Sequence, residues 1–166
     1  GMWEAELGPK PRELDGLICL WAYDGLVKKI VKSAKYNGRF DALRFLVQHA
    51  KFEIQKDLTI VPVPLHKNRL RERGFNQAEI IAEEVARSQR LGVNNLLVRT
   101  KDTGHQTLRN REERLNALKD AFLLNTEHRI PNTVLLVDDV MTTGTTLSEC
   151  AKVLKRAGVE KVYGLV

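Results

Sequence analysis

Residues 134–146, V-L-L-V-D-D-V-M-T-T-G-T-T, carry the chemistry that stands out in this chain. An apolar run ends in two adjacent carboxylates, Asp138 and Asp139. A turn of Thr142, Thr143, Thr145 and Thr146 around Gly144 follows, and helical spacing begins behind it. In an open α/β sheet, ligands bind beyond the carboxyl ends of the strands, and the acidic pair sits at such an end. The turn offers successive backbone N–H groups, hydroxyls and a helix N-terminus, which together favour a phosphate. Gly144 lets the main chain approach closely. A phosphate with carboxylates alongside points to a phosphorylated sugar. The turn takes the phosphate and the aspartates accept hydrogen bonds from ring hydroxyls. Their charge suits a sugar carbon that turns positive in a transition state.

The same residues allow a plainer reading. Thr146 and Glu149 spell a T-x-x-E capping box, which needs no ligand. Two neighbouring carboxylates at a strand end, however, repel each other and stabilise nothing obvious. There is no G-x-x-x-x-G-K-[ST], which excludes a P-loop. The 27 residues after Asp139 are too few for the further strands of a phospho-receiver domain.

The net charge of +6 is concentrated in two segments. Residues 64–77 carry Lys67, Arg69, Arg71 and Arg73 against Glu72, and residues 99–111 carry Arg99, Lys101, Arg109 and Arg111 against Asp102, each a net +3. The rest of the chain is neutral. Focused basic segments on a neutral body suit a compact anionic ligand. Arg69, Arg71 and Arg73 alternate with other residues, so the segment is expected to be a loop on which the guanidiniums converge. Each planar fork can give an oxyanion two parallel hydrogen bonds. Lys101 and His105 fall in a polar stretch, 101–110, with Gly104 and no periodicity, expected to be a mobile loop. Asn76 and Gln77 are expected to cap the helix that follows them.

These residues need a frame. Apolar spacing predicts helices from Leu26 to Ala34, from Phe40 to Ala50, from Ala78 to Val85 and from Leu147 to Leu154. Strands are expected at 17–21, 58–64, 95–99, 121–124, 133–137 and 161–166. Strands alternating with helices argue for a parallel sheet covered on both faces. At 166 residues the chain is one domain, with a boundary expected near 52–57 between a helical N-terminal part and an α/β part. With 43% apolar and 29% charged residues it is neither disordered nor fibrous. No apolar run is long enough for a membrane span. Gly1-Met2 reads as a tag remnant. Cys19 and Cys150 are single and far apart, which offers no zinc pair or disulfide framework and fits a reducing cytoplasm.

The stretch 134–146 resembles the ribose-phosphate signature of type I phosphoribosyltransferases, which use phosphoribosyl diphosphate. The likeness extends to Val61-Pro62-Val63-Pro64-Leu65, to residues 69–77 (R-L-R-E-R-G-F-N-Q), to residues 107–122 with Arg114, Asn116 and Ala121-Phe122, and to Tyr23, Lys35-Tyr36 and Gly38. In these it is similar to the ComF/GntX branch, the competence-protein-like phosphoribosyltransferases. Members of that branch often carry an N-terminal four-cysteine zinc ribbon. This sequence has none, so it is either trimmed or a short form, and zinc is not expected.

The resemblance implies the type I phosphoribosyltransferase fold: a mostly parallel central sheet flanked by helices. Residues 1–55 would form a small hood and residues 56–166 the core. It implies that the turn of Val140, Met141, Thr142, Thr143, Gly144, Thr145 and Thr146 holds the 5′-phosphate. Asp138 and Asp139 would hold the 2′- and 3′-hydroxyls. Arg69, Arg71, Arg99 and Arg109 would hold the diphosphate, with Arg73 and Lys101 acting on it in the reaction. Mg²⁺ would be held mainly by the diphosphate and the ribose hydroxyls, with no dedicated protein ligands. Ribose 5-phosphate would pass to an unidentified acceptor, a nitrogen nucleophile, and diphosphate would leave. A loop at 100–110 would close over the site. The alternative is a non-catalytic module that senses the same ligand or binds competence and DNA-uptake proteins. Direct DNA binding by the basic segments is a third reading, but with 6% aromatics there is little to stack bases on. Dimers are common among such proteins.

Overall fold

A computed structural model describes residues 10–103 and 111–166. Its centre is a four-stranded sheet in the order β1-β6-β5-β2. The strands are β1 (Gly16–Ile18), β2 (Thr59–Pro62), β5 (Thr133–Val137) and β6 (Lys161–Leu165). Every pairing in it is parallel. A separate antiparallel pair joins β3 (Leu97–Arg99) to β4 (Phe122–Leu124).

The burial of β5 explains the layering. Val134 and Leu136 belong to one apolar cluster, Leu135 and Val137 to another, and all four are 0% exposed. Alternate side chains of one strand therefore serve the two faces of the sheet. Such a strand reads as an unbroken apolar run, as parallel strands buried on both faces do. On one face lie α6 (Thr145–Arg156) and the β3–β4 pair, with α5 (Arg111–Leu118) beyond them. Helix α6 buries Leu147, Cys150, Ala151 and Leu154, one helical stripe. Against the other face pack α4 (Gln77–Gln89), α2 (Phe40–His49) and α1 (Gly25–Asn37), through Ile81, Ala82, Val85, Leu43, Val47, Val31 and Ala34. Each fully buried leucine or valine among these stabilises the fold by about 1.5–3 kcal/mol relative to exposure.

Several expectations are corrected. Residues 67–73 are not a loop but a helix, α3 (Lys67–Arg73), begun by the His66 side chain accepting from the Asn68 amide and ended by Gly74 at φ 81°. Helix α5 lies in a stretch that shows no clear apolar periodicity. The first strand is shorter than residues 17–21, and it pairs with β6 in the central sheet. Strand β1 thus belongs to the central sheet although it precedes the boundary expected near 52–57. The expected loop 101–110 falls largely outside the described residues. Residues 101–103 have no regular structure.

Register positions the chemistry. Pro62 pairs with Val137, and the Val63 amide donates to the Val137 carbonyl at 2.8 Å. The residues that follow β2 and β5 thus emerge side by side at the carboxyl edge of the sheet.

Candidate functional site

Asp138 and Asp139 leave β5 together. The Asp138 amide closes the ladder on the Leu165 carbonyl at 3.0 Å. The Asp139 amide then donates to Asp138 Oδ1 at 2.8 Å, and the Val140 amide to Asp139 Oδ1 at 2.9 Å. Each carboxylate thereby holds the next peptide in place. Burial, and then the neighbouring Asp139 charge, raises the Asp138 carboxyl well above the usual carboxylate range. Burial, followed by the Asp138 charge, likewise pushes up the Cys150 thiol.

The threonine turn is built around Gly144. It stands at the N-cap of α6 with φ 76°, where no side chain supplies a cap hydrogen bond. A Cβ there would also come within 2.5 Å of Pro11 Cγ, so glycine is required both by conformation and by space. Thr143 and Thr145 share a 2.8 Å hydroxyl contact. The Thr146–Glu149 capping box does not form, because α6 begins at Thr145 and Glu149 pairs with Lys152 at 2.6 Å. The Thr145 amide donates to the Thr143 hydroxyl only at 3.5 Å, and the N-cap glycine adds no side-chain acceptor of its own.

Asp138, Asp139, Val140, Thr142 and Thr146 all line one cavity of about 370 Å³. Arg73 and Arg99 line it as well, as do Tyr23 and Lys35 from the N-terminal part and Val63–Leu65 from the end of β2. Two distant cationic segments thus meet the acid pair and the turn. Arg99 is the telling member. Its chain lies against the Phe122 ring, 5.5 Å from guanidinium carbon to centroid, and an Nη donates to Thr103. Its buried Nε has no hydrogen-bond partner among the described residues. Burial lowers this guanidinium from its usual range, against the pull of Cys150, Asp138 and Asp102. A half-buried cation with an idle donor beside a cavity fits an anionic ligand.

Other residues expected at the site are placed elsewhere. Helix α3 puts Arg69 and Arg73 one turn apart, on neighbouring positions of one face, and Arg71 between them is exposed and lines neither cavity described here. Arg69 opens instead onto an adjoining cavity. Lys101 is exposed, and its Nζ donates to the Lys119 carbonyl at 2.5 Å, outside the cavity lining. Met141 packs under the turn against the core. Arg109 lies outside the described residues.

Lining residues with polar side chains that were not among the expected ligand contacts are Tyr23, Lys35, Asn76 and Gln77. Asn76 does cap α4, accepting from the Ala78 amide at 3.1 Å, but it also donates to the Val63 carbonyl at 2.9 Å. Gln77, only 1% exposed, donates to the Val31 carbonyl of α1 at 3.0 Å and accepts from Arg73 Nη1 at 3.4 Å. These amides bind α1, β2 and the arginine into one corner. Their signal in the sequence is two adjacent amide residues at the start of an apolar helix, which local capping already explains. Burial, followed by the charges of Asp139 and Tyr36, raises the Tyr23 hydroxyl.

Among the described residues, no group of three or more His, Cys, Asp or Glu is arranged to hold a metal. No described helix is long and apolar enough to cross a membrane.

Comparison with known proteins agrees with this geometry. The phosphoribosyl transferase domain family matches residues 70–164. Competence protein F of Haemophilus influenzae is 40% identical over 165 residues, covering 91% of this chain and 72% of that protein. The DNA utilization protein YhgH of Escherichia coli K12 is 30% identical over 163 residues, covering 92% of this chain and 71% of that one. A weak superposition, TM-score 0.45 at 17% identity over 74% of this chain and 24% of the other, relates it to glutamine phosphoribosylpyrophosphate amidotransferase from B. subtilis complexed with ADP and GMP. With a family match over more than half its length and a relative at 40% identity, the chain belongs to the phosphoribosyl transferase domain family, in its competence protein F branch.

Proposed function

We propose that this protein binds phosphoribosyl diphosphate with Mg²⁺ and transfers its ribose 5-phosphate to a nitrogen acceptor, releasing diphosphate. One observation carries the reading. A turn whose N-cap is a glycine, an acid pair and cations from two distant segments open onto a single cavity. The amides of the turn, together with the hydroxyls of Thr142 and Thr146, hold the 5′-phosphate. Asp138 and Asp139 accept from the ribose hydroxyls. The Asp138 carboxyl gives up its raised affinity for a proton as it does so, which links ligand binding to pH.

Arg73, Lys35 and Arg99 face the diphosphate end. As the bond from C1 to the diphosphate oxygen breaks, its electron pair leaves with the diphosphate, and these cations balance the charge that develops. The lone pair of the acceptor nitrogen closes on C1. The donor set suits Mg²⁺: two carboxylates without a third protein ligand match an ion bound chiefly through substrate oxygens, with Asp138 and Asp139 gripping the hydroxyls that share it. When bound, it supplies charge neutralisation of the diphosphate.

The test is calorimetric titration with phosphoribosyl diphosphate and Mg²⁺, followed by a diphosphate-release assay with candidate acceptors. The paired substitution Asp138→Asn and Asp139→Asn is expected to weaken binding about 100-fold or more, since two charge-assisted contacts are lost. Equal binding by the double variant overturns the assignment. The relatives' names, competence protein and DNA utilization protein, favour a second reading, a module of DNA uptake that binds the same ligand without turnover. Tight binding without diphosphate release, across an acceptor panel, would select it.

A further inference from the structure

Residues 10–15 run along α6 before entering β1, and they meet the first turn of that helix at two points. Pro11 lies against Gly144, its Cγ only 2.5 Å from where a Cβ on that residue would stand. Glu13 Oε2 accepts from the Ser148 hydroxyl at 2.6 Å. Neither residue lines a cavity described here. We propose that Glu13 is a positioning residue: through Ser148, and with Pro11 against Gly144, it holds the first turn of α6 in the arrangement that receives the 5′-phosphate. The proposal rests on the first cavity being the phosphoribosyl diphosphate site.

The turn needs a hold from outside itself. Gly144 takes φ 76° and has no side chain to fix it there, and glycine has the most backbone freedom to lose. The hydroxyls of Thr143 and Thr145 bond each other at 2.8 Å, a contact within the turn that leaves its orientation on the sheet open. Ser148 is joined to Gly144, because its amide donates to the Gly144 carbonyl at 2.9 Å. A grip on the Ser148 hydroxyl therefore acts on Gly144, one helical turn back. Pro11 fills the room that a side chain on Gly144 would take, and so limits how far that residue can shift.

The segment that supplies this grip is itself anchored. Leu14, 2% exposed, belongs to the same core cluster as Leu147 of α6. Asp15 accepts from Lys155 Nζ at 2.6 Å and from the Val162 amide at 2.8 Å, near the far end of α6. Burial works against the Glu13 charge, but the Ser148 hydroxyl, the residue's own amide, Lys152 and Arg12 outweigh it and hold the carboxyl below its usual range. Kept ionised, Glu13 can only accept, which makes the Ser148 hydroxyl the donor. Asp15 supplies the control. It secures the same segment to the last turn of α6, not to the first.

Phosphoribosyl diphosphate with Mg²⁺ is titrated calorimetrically into the parent, Glu13→Ala, Ser148→Ala, the double variant, Glu13→Gln and Asp15→Ala, with Tm read on the same samples. A turn that is competent only part of the time raises the apparent Kd by the inverse of that fraction. Glu13→Ala is expected to bind about three- to ten-fold more weakly, and Ser148→Ala by about as much. The double variant should bind no more weakly than either, since both remove one contact. Glu13→Gln keeps an acceptor oxygen and should stay within about two-fold of the parent. Asp15→Ala should lower Tm and leave Kd unchanged. If the parent binds and Glu13→Ala matches it, or loses no more affinity than Asp15→Ala, the segment is a structural clamp alone; that overturns this inference and leaves the ribose site standing. Additive losses in the double variant overturn the route through Ser148. No binding by the parent overturns the ribose-site reading, and this inference with it.

Discussion

Asp138→Asn should make the protein more stable while disabling its ligand site. In the folded chain, burial and the adjacent Asp139 raise the Asp138 carboxyl, and Arg99 offsets this only in part. Unfolded, the same group titrates in the ordinary carboxylate range. Between those two values the folded state holds a proton that the unfolded state has lost, so stability falls as pH rises through the window. The asparagine carries no charge at any pH, and its carbonyl can still accept from the Asp139 amide at the 2.8 Å contact. Relief of a half-buried, like-charged carboxylate is worth about 1–3 kcal/mol. At this chain length 1 kcal/mol moves Tm by about 2–4 °C. Thermal unfolding followed by circular dichroism should therefore show the variant about 2–12 °C more stable than the parent at pH 8 and close to it at pH 4. Binding of phosphoribosyl diphosphate should fall in the same samples. A variant that melts below the parent at pH 8, or by the same difference at both pH values, would refute the claim that the fold holds a strained acid pair for its ligand.

Gly144→Ala faces both a left-handed backbone, at about 1–2 kcal/mol, and a clash with Pro11. It should lower Tm by about 4 °C or more, and adding Pro11→Ala should recover the steric share. Arg73→Ala should weaken phosphoribosyl diphosphate by about 10- to 100-fold by calorimetry, as loss of a charge-assisted contact does. Arg71→Ala, at an exposed position on the other side of α3, should change it by less than about two-fold. Gln77→Leu leaves the Val31 carbonyl and Arg73 without their partner, so urea unfolding should show a loss of about 1–3 kcal/mol.

The parts of this molecule that were legible in its sequence are those whose chemistry is contiguous. Residues 133–137 are a strand to the residue because Val134–Val137, buried on both faces of the parallel sheet, form an unbroken apolar run. The acid pair and the threonine turn follow in one unbroken stretch, so their order along the chain is already their order in space. Tyr23, Lys35 and Gln77 were not legible as lining residues, because their place depends on how α1 packs against α4. Gln77 illustrates why. The same amide that could cap a helix locally reaches instead to a carbonyl 46 residues earlier, and nothing in its immediate neighbours distinguishes the two uses. Helix α5 was missed for a related reason: of its described side chains in R-E-E-R-L-N-A-L, Leu118 alone is buried, too little for a periodic stripe.

The arginine segment shows how a wrong local state changes a functional reading. Taken as a loop, residues 67–73 would bring Arg69, Arg71 and Arg73 onto one diphosphate. As a helix, they cannot act together. The spacing of four residues keeps Arg69 and Arg73 on one face, while the intervening Arg71 turns to solvent. That face runs along the wall between two cavities, so Arg73 serves both and Arg69 only the outer one. Net charge and composition are the same in either state, yet the helix turns a cluster of three cations into a divider. One side of it faces the acid pair, and the other faces three aromatic rings. It is this division, set by backbone hydrogen bonds rather than by charge, that keeps Arg69 out of the cavity holding the acid pair while Arg73 lines both.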